Sequence, residues 1–183
     1  METTIERQVF VIEQCDMQHE KSRDKTDDMV DRLFVSYKND VFRFALLLVG
    51  DYQLAEDVTQ DVFIKALESL VNLRDRGKVK TWLLSITRNT ALNLIRRRGF
   101  ETAGEEEFFS GIPHTDASNL EFYDMLACLD RDGQQIVTLH IVNGLKHREI
   151  ASVLDMQPAA VRKRYARALE TIKNSLEGGG YYE

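Results

Sequence analysis

The chain contains only two cysteines and two prolines in 183 residues, and no apolar run of membrane-spanning length. Cys15 and Cys128 are too few and too distant for a disulfide framework or a cysteine metal site, which favours a reducing, cytoplasmic location. The first residues include acids where a signal peptide needs a basic start, so we expect no membrane insertion. Scarce proline and 43% hydrophobic residues favour helices around a real core.

Signatures of catalysis are also missing. The chain has no glycine-rich phosphate loop, no nucleophile motif and no cluster of metal-ligand residues. His140 and His147 are isolated and lack metal-ligand spacing, so we assign them structural or surface roles. An enzyme is therefore very poorly supported, and we expect no catalytic residue, no metal and no cofactor.

The net charge of −6 argues against a uniformly basic nucleic-acid-binding protein, so any DNA binding must come from local patches. One such patch runs from Arg74 to Arg98, with eight Lys or Arg residues against one acid, Asp75. Cations together with an aromatic residue and amides suit a DNA strand whose bases are unstacked. The competing interpretation places Trp82 in the core and lets the last cations complement a helix dipole. The candidate DNA-binding residues of this segment are Lys80, Trp82, Arg88, Asn89, Asn93, Arg96 and Arg97.

A second basic patch lies in Gly144–Leu169, which predicts two short helices joined at Asp155–Gln157. Pro158 ends the first helix and suits the first turn of the second. Short and cationic side chains on one helix face permit close approach to a major groove. A plain helical hairpin with a solvated basic face is the alternative. Helical spacing buries Val161, Tyr165, Ala168, Leu169 and Ile172, and presents Ala159, Ala160, Arg162, Lys163, Arg164 and Arg167 to DNA.

The remaining pattern is helical and interrupted by one acidic stretch. Helices are predicted over Asp27–Val49, with Gly50 as a stop, over Tyr52–Leu70, and over Leu120–Val142. The second of these carries an acidic face, formed by Asp57, Gln60, Asp61 and Glu68 with Ile64 among them, which suits either a partner or solvent equally well.

We therefore predict an all-α fold of two small helical domains on a flexible acidic linker, the second containing a helix–turn–helix. The predicted segments are an extension of unknown role at 1–26, a first domain at 27–98, the linker at 99–119, a second domain at 120–176 and a tail at 177–183.

Three blocks resemble, in order and spacing, an extracytoplasmic-function sigma factor of bacterial RNA polymerase, in the sigma-70 family. They are AEDVTQDVFIKAL, KTWLLSITRNTALNLIRRR and the Gly144–Leu169 stretch. The chain departs from the family's pattern in its extension at 1–26, in Asp155 at a turn where glycine is usual, and in Gln157–Ala160, which lacks small polar residues.

The resemblance implies a role for each block. The helix bearing Asp57, Gln60, Asp61 and Ile64 would dock on the clamp helices of the largest polymerase subunit. The segment from Lys80 to Arg98 would melt and read the −10 element, with a base captured near Leu73–Lys78. The second domain would read the −35 element and meet the flap of the second-largest subunit. The linker would occupy the RNA exit channel, and an anti-sigma factor is an implied partner.

A free-standing helix–turn–helix regulator that binds duplex DNA without polymerase is the rival hypothesis. It explains the second domain but leaves the acidic face and the Trp82 segment unused.

Overall fold

The first three helices form one bundle. The computed structural model describes residues 31–69, 75–98 and 117–178. Within them, α1 covers residues 31–49, α2 covers Tyr52–Ser69, and a 3-10 turn at Arg76–Lys78 leads into α3, Val79–Arg98. Gly50 ends α1 with a φ of 68° and donates its N–H to Leu46 O at 2.9 Å, which is the stop that its sequence position predicts.

Four further helices form the second bundle. They are α4 (Ala117–Leu126), α5 (Arg131–Ile141), α6 (His147–Leu154) and α7 (Pro158–Gly178). The long helix predicted over Leu120–Val142 is interrupted at residues 127–130. Asp130 explains the break, because its extended backbone and its carboxylate, which accepts from Gly133 N at 2.8 Å, begin a new helix there.

Each bundle has an apolar interior. In the first, Phe44, Val62 and Leu83 are almost fully buried, and Lys65 of α2 donates to Thr90 Oγ1 of α3 at 2.9 Å. In the second, Ile136 and Ile150 are fully buried, and α7 packs on both α5 and α6. Burial of such side chains is the main stabilising contribution to each bundle.

The two bundles also pack against each other, through α3 of the first and α6 of the second. The sequence predicts two domains and a linker, but it does not predict this contact.

Parts of three predicted segments lie outside the described residues. The extension at 1–26 lies wholly outside them, as do linker residues 99–116 and tail residues 179–183. The described remainder of these segments is helical, since residues 117–119 belong to α4 and residues 177–178 to α7. No helix within the described ranges is both long enough and apolar enough to cross a bilayer.

Candidate polymerase and promoter interfaces

The acidic face of α2 is exposed. Asp57, Gln60 and Asp61 all lie at the surface, while Val58 and Val62 point into the core. Ile64 is 57% exposed, which makes it an apolar side chain on an otherwise charged surface. The face predicted from helical spacing is therefore accessible to a partner.

A groove of about 360 Å³ borders this face between α1 and α2. Gln60 and Glu56 line its polar side. The aromatic pair Phe42 and Tyr52, which meet edge to face with ring centroids 5.1 Å apart, lines its apolar side. Tyr52 is 40% exposed. The acidic face thus continues into a partly apolar surface, a combination that suits a protein partner better than solvent.

The candidate residues of α3 fall into two environments. Lys80 pairs with Asp40 Oδ2 of α1 at 2.9 Å, and Arg88 is half-buried with an Nε that has no hydrogen-bond partner among the described groups. Trp82 is half-buried against the core, intermediate between the two interpretations of its role. The others are exposed, namely Asn89, Asn93, Arg96 and Arg97.

The loop before α3 is organised by Asp75. Its carboxylate accepts from Gly77 N at 3.0 Å and pairs with Lys78 Nζ at 3.1 Å. The hydrogen bond from Lys78 is the largest cause that lowers the pKa of Asp75, followed by the backbone N–H of Gly77. The ordered turn places the exposed Lys78 immediately before the N-terminus of α3.

The helix–turn–helix forms where it is predicted. Asp155 ends α6 in the left-handed conformation, with φ 54° and ψ 50°, and so takes the geometry usually given to glycine. Glu149 caps the start of α6 by accepting from Lys146 N at 2.7 Å. Met156 N donates to Ala151 O at 2.9 Å and completes the turn. The departure from glycine therefore leaves the turn intact, because aspartate tolerates this region better than most residues.

The outward face of α7 is basic and accessible. Ala159 is exposed and Ala160 half-buried, so the helix backbone is approachable at its N-terminal end. One cation is engaged within the protein, since Arg164 forms an ion pair with Asp132 of α5. The exposed cations of this face are Arg162, Lys163, Arg164 and Arg167.

One residue predicted to lie on the buried face of α7 is exposed, and another, Tyr165, is half-buried. Val161, Ala168 and Ile172 are buried as expected, but Leu169 is 42% exposed. Leu169 lies at the edge of the stripe, one residue beyond Ala168, where α5 and α6 do not cover it. Leu176, 49% exposed and two helical turns later, lies on the same side. The two leucines extend an apolar strip along α7.

Sequence reasoning missed a ring cluster within the second bundle. His140 and His147 stack at 4.9 Å, and Tyr165 meets both rings edge-on or tilted, at 4.8 and 5.0 Å. The pKa of His147 is lowered, mainly by burial and to a smaller extent by the nearby charges of His140 and Arg162. The three residues come from α5, α6 and α7, so no sequence spacing could have indicated the contact.

Models of two families match the chain. Sigma-70 region 2 matches residues 33–101, which include most of α1 and all of α2 and α3. Sigma-70 region 4 matches residues 119–172, which include most of α4 to α7.

Curated relatives agree with these matches. The chain is 30% identical over 158 residues to a probable RNA polymerase sigma factor RfaY of Xanthomonas campestris pv. campestris, covering 79% of this chain but 40% of that protein. It is 31% identical over 166 residues to the RNA polymerase sigma-H factor of Pseudomonas aeruginosa, covering 80% of this chain and 86% of that protein. It is 31% identical over 139 residues to the ECF RNA polymerase sigma-E factor of Escherichia coli K12, covering 66% and 73%.

The fold is similar to that of a solved sigma factor, RpoE in complex with the anti-sigma factor NepR from Bartonella quintana. The TM-score is 0.64 at 21% identity, over 80% of this chain and 96% of that one. Two matching regions in the same order, together with two relatives at 31% identity that are matched over 86% and 73% of their own length, lead to one assignment. The chain belongs to the sigma-70 family of RNA polymerase sigma factors, in its extracytoplasmic-function group.

Proposed function

We propose that this sigma factor binds core RNA polymerase through the first bundle and directs it to promoters by contacting DNA with both bundles. The observation that carries this proposal is the separation of its surfaces. An acidic face with an exposed isoleucine lies on α2, whereas exposed cations lie on α3 and α7. One surface suits a protein partner and the others suit phosphate.

The α2 face is the proposed polymerase contact. Asp57, Gln60 and Asp61 would meet the clamp helices of the largest subunit, and Ile64 would supply a desolvated apolar contact at the centre. An aliphatic side chain ringed by acids gives both affinity and charge selectivity against anionic partners.

The α3 surface is the proposed −10 contact. Asn89, Asn93, Arg96 and Arg97 are exposed and offer amides and cations to a single strand. The accessible part of Trp82 would stack on an unpaired base, while its buried part anchors the ring. Lys80 would join this surface once it leaves its ion pair with Asp40, and Arg88 would join it once its half-buried side chain becomes accessible.

The second bundle is the proposed −35 reader. Ala159 and Ala160 let the α7 backbone approach a major groove, where Arg162, Lys163 and Arg167 reach phosphates or guanine edges. Exposed Leu169 and Leu176 would supply the apolar surface for the flap of the second-largest subunit.

Further aspects of the role follow from the family. An anti-sigma factor is a proposed partner, since RpoE of B. quintana is solved with one. We place the protein in the cytoplasm, with a regulatory rather than catalytic activity.

Charge reversal on α2 tests the polymerase contact. We expect Asp61→Arg to weaken binding to purified core polymerase at least tenfold, about 1.4 kcal/mol, because it reverses the charge of one acid on the face proposed to meet the polymerase. Asp124→Arg makes the same charge change at an exposed position of α4 and is the matched control. Circular dichroism checks that both variants fold. Wild-type affinity in a folded Asp61→Arg protein would refute the assignment of this face.

A free-standing regulator is not favoured, because region 2 and region 4 both match the chain.

A further inference from the structure

Three rings join the helices of the second bundle. His140 comes from the last turn of α5, His147 is the first residue of α6, and Tyr165 lies on α7. Every pair of these rings is in contact, with centroid distances of 4.9, 4.8 and 5.0 Å. Ring pairs at such distances add to the stability of the elements they join. The cluster therefore helps to set the position of α7 relative to α5 and α6.

A hydrogen bond defines the neutral form of His140. Its Nδ1 lies 2.8 Å from Leu145 O, and a carbonyl oxygen can only accept. Nδ1 therefore carries the hydrogen of the neutral ring, and Nε2 is the nitrogen that would take up a proton. Leu145 is buried in the turn between α5 and α6, so the same bond attaches the ring to that turn.

The surroundings of His147 favour a neutral ring. Its Nε2 is buried and has no hydrogen-bond partner among the described groups. Protonation would make both ring nitrogens donors, and a buried donor without an acceptor costs free energy. The position of His147 at the start of α6 acts in the same direction, because the N-terminal end of a helix dipole is positive.

The charges near His147 are cationic. Burial has the largest effect in lowering the pKa of His147, and the charges of His140 on α5 and Arg162 on α7 lower it further. Lys146 and Arg148 flank His147 in the chain. A proton on His147 would therefore join several positive charges.

In the described part of the chain, no carboxylate contributes to the pKa of His147. Among the helices that contact α6, α5 carries Asp132, which pairs with Arg164. Glu149 of α6 itself caps the helix at Lys146 N. The acids of α7 are exposed and follow Tyr165 in the chain, and α3 has no acid. These α7 acids are Glu170 and Glu177, and the charged residues of α3 are Lys80, Arg88, Arg96, Arg97 and Arg98.

Two protons on the stacked imidazoles would repel each other. Their ring centroids are 4.9 Å apart, and a like charge at this distance disfavours the charged form of its neighbour. In an unfolded chain the same histidines take up protons near pH 6.5 without this repulsion. The folded cluster therefore binds fewer protons, so its stabilising effect is present above about pH 6.5 and is lost as the pH falls below that value.

We propose that His140 and His147 are positioning residues for promoter recognition, which hold α7 in its reading orientation while both rings are neutral and release it on acidification. This inference rests on the proposed reading of the −35 element by α7. Tyr165 lies on the same helix as the exposed cations Arg162 and Arg167. A loosened cluster would misdirect these cations, so discrimination between promoters should fall while attraction to phosphates remains.

Holoenzyme assembled from core polymerase and the full-length protein tests this role. Its affinity is measured for promoter DNA with an intact and with a scrambled −35 element, at about pH 7.5 and about pH 5.8 and at one salt concentration. The readout is the ratio of the two affinities, because effects of pH on the core enzyme or on phosphate attraction are common to both templates. For the wild type we expect this ratio to fall at least about threefold on acidification.

Replacing one titrating ring separates protonation from packing. His147→Phe keeps an aromatic ring that cannot be protonated, and His147→Tyr is a second variant of this kind. Both should keep the wild-type ratio near neutral pH and lose most of its fall on acidification. His114→Phe makes the same change at a histidine outside the described residues and is the matched control, which should retain the wild-type pH profile.

Thermal unfolding of the free protein supplies a readout without DNA. The melting temperature should fall more between these two pH values in the wild type than in either ring variant. A ratio near one at every pH would overturn the reading of the −35 element by α7, and this inference with it. A high ratio near neutral pH that does not fall in the wild type, or that falls equally in both folded ring variants, would overturn this inference alone.

Discussion

A single residue, Asp155, determines the geometry of the turn between α6 and α7. Asp155 is the one non-glycine residue with positive φ among those that the structure describes. Its position could be predicted from the helical periods on either side and from Pro158, but its left-handed backbone could not be read from an aspartate. Glycine is usual at this turn in the family because the turn requires a left-handed backbone. Aspartate adopts the same conformation at a modest cost in free energy.

Substitution at this turn has a predictable sign. Asp155→Val should destabilise the protein by about 1–2 kcal/mol, because a β-branched side chain is strained in the left-handed region. Asp155→Asn should be neutral within about 0.5 kcal/mol, since asparagine tolerates the same conformation. Ser152→Val places valine at an exposed right-handed position of α6 and separates strain from helix propensity. Equal urea-unfolding free energies for the two valine variants would contradict the strain assignment.

Whole helices were the most predictable part of the molecule. The periodicity of apolar residues predicted α1, α2, α6 and α7 to within a few residues wherever the structure describes their ends. It failed at Ala127–Asp130, because apolar residues continue in register across a break that a local cap creates. It also misplaced Leu169, since periodicity predicts a face but not how far neighbouring helices cover it.

Along α7, the cations should differ in their importance for DNA. Arg167 is exposed, whereas the guanidinium of Arg164 is held by Asp132. We expect Arg167→Ala to reduce transcription from promoters that depend on the −35 element, with a loss of about 1–3 kcal/mol if a base contact is removed.

The effect of Arg164→Ala should be smaller, which makes it the control on the same helix. Both variants are compared on templates with an intact and a scrambled −35 element, at one salt concentration. Unchanged transcription by Arg167→Ala on every template would show that this end of α7 does not contact promoter DNA.

For the whole molecule, the arrangement of the bundles was the least predictable feature. Asn143 Nδ2, in the turn between α5 and α6, donates a hydrogen bond to Asp40 O of α1 at 3.1 Å. The two residues are 103 positions apart, and neither belongs to a motif that the sequence displays. Contacts between the bundles depend on how the surfaces of two folded units fit together, and the local periodicity of the sequence does not encode that fit. The candidate residues themselves could be chosen from charge, spacing and family resemblance. The engagement of Lys80 with Asp40 and of Arg164 with Asp132 required the structure.

The most direct measurement is transcription by purified core polymerase on a library of randomised promoters, with and without this protein. We predict transcripts only when both are present, from templates that share two sequence blocks near −10 and −35. Core alone should select neither block, and the protein alone should bind duplex DNA weakly. Tight, sequence-specific binding to duplex DNA without core, together with no core-dependent transcript, would contradict its role as a promoter-directing sigma factor.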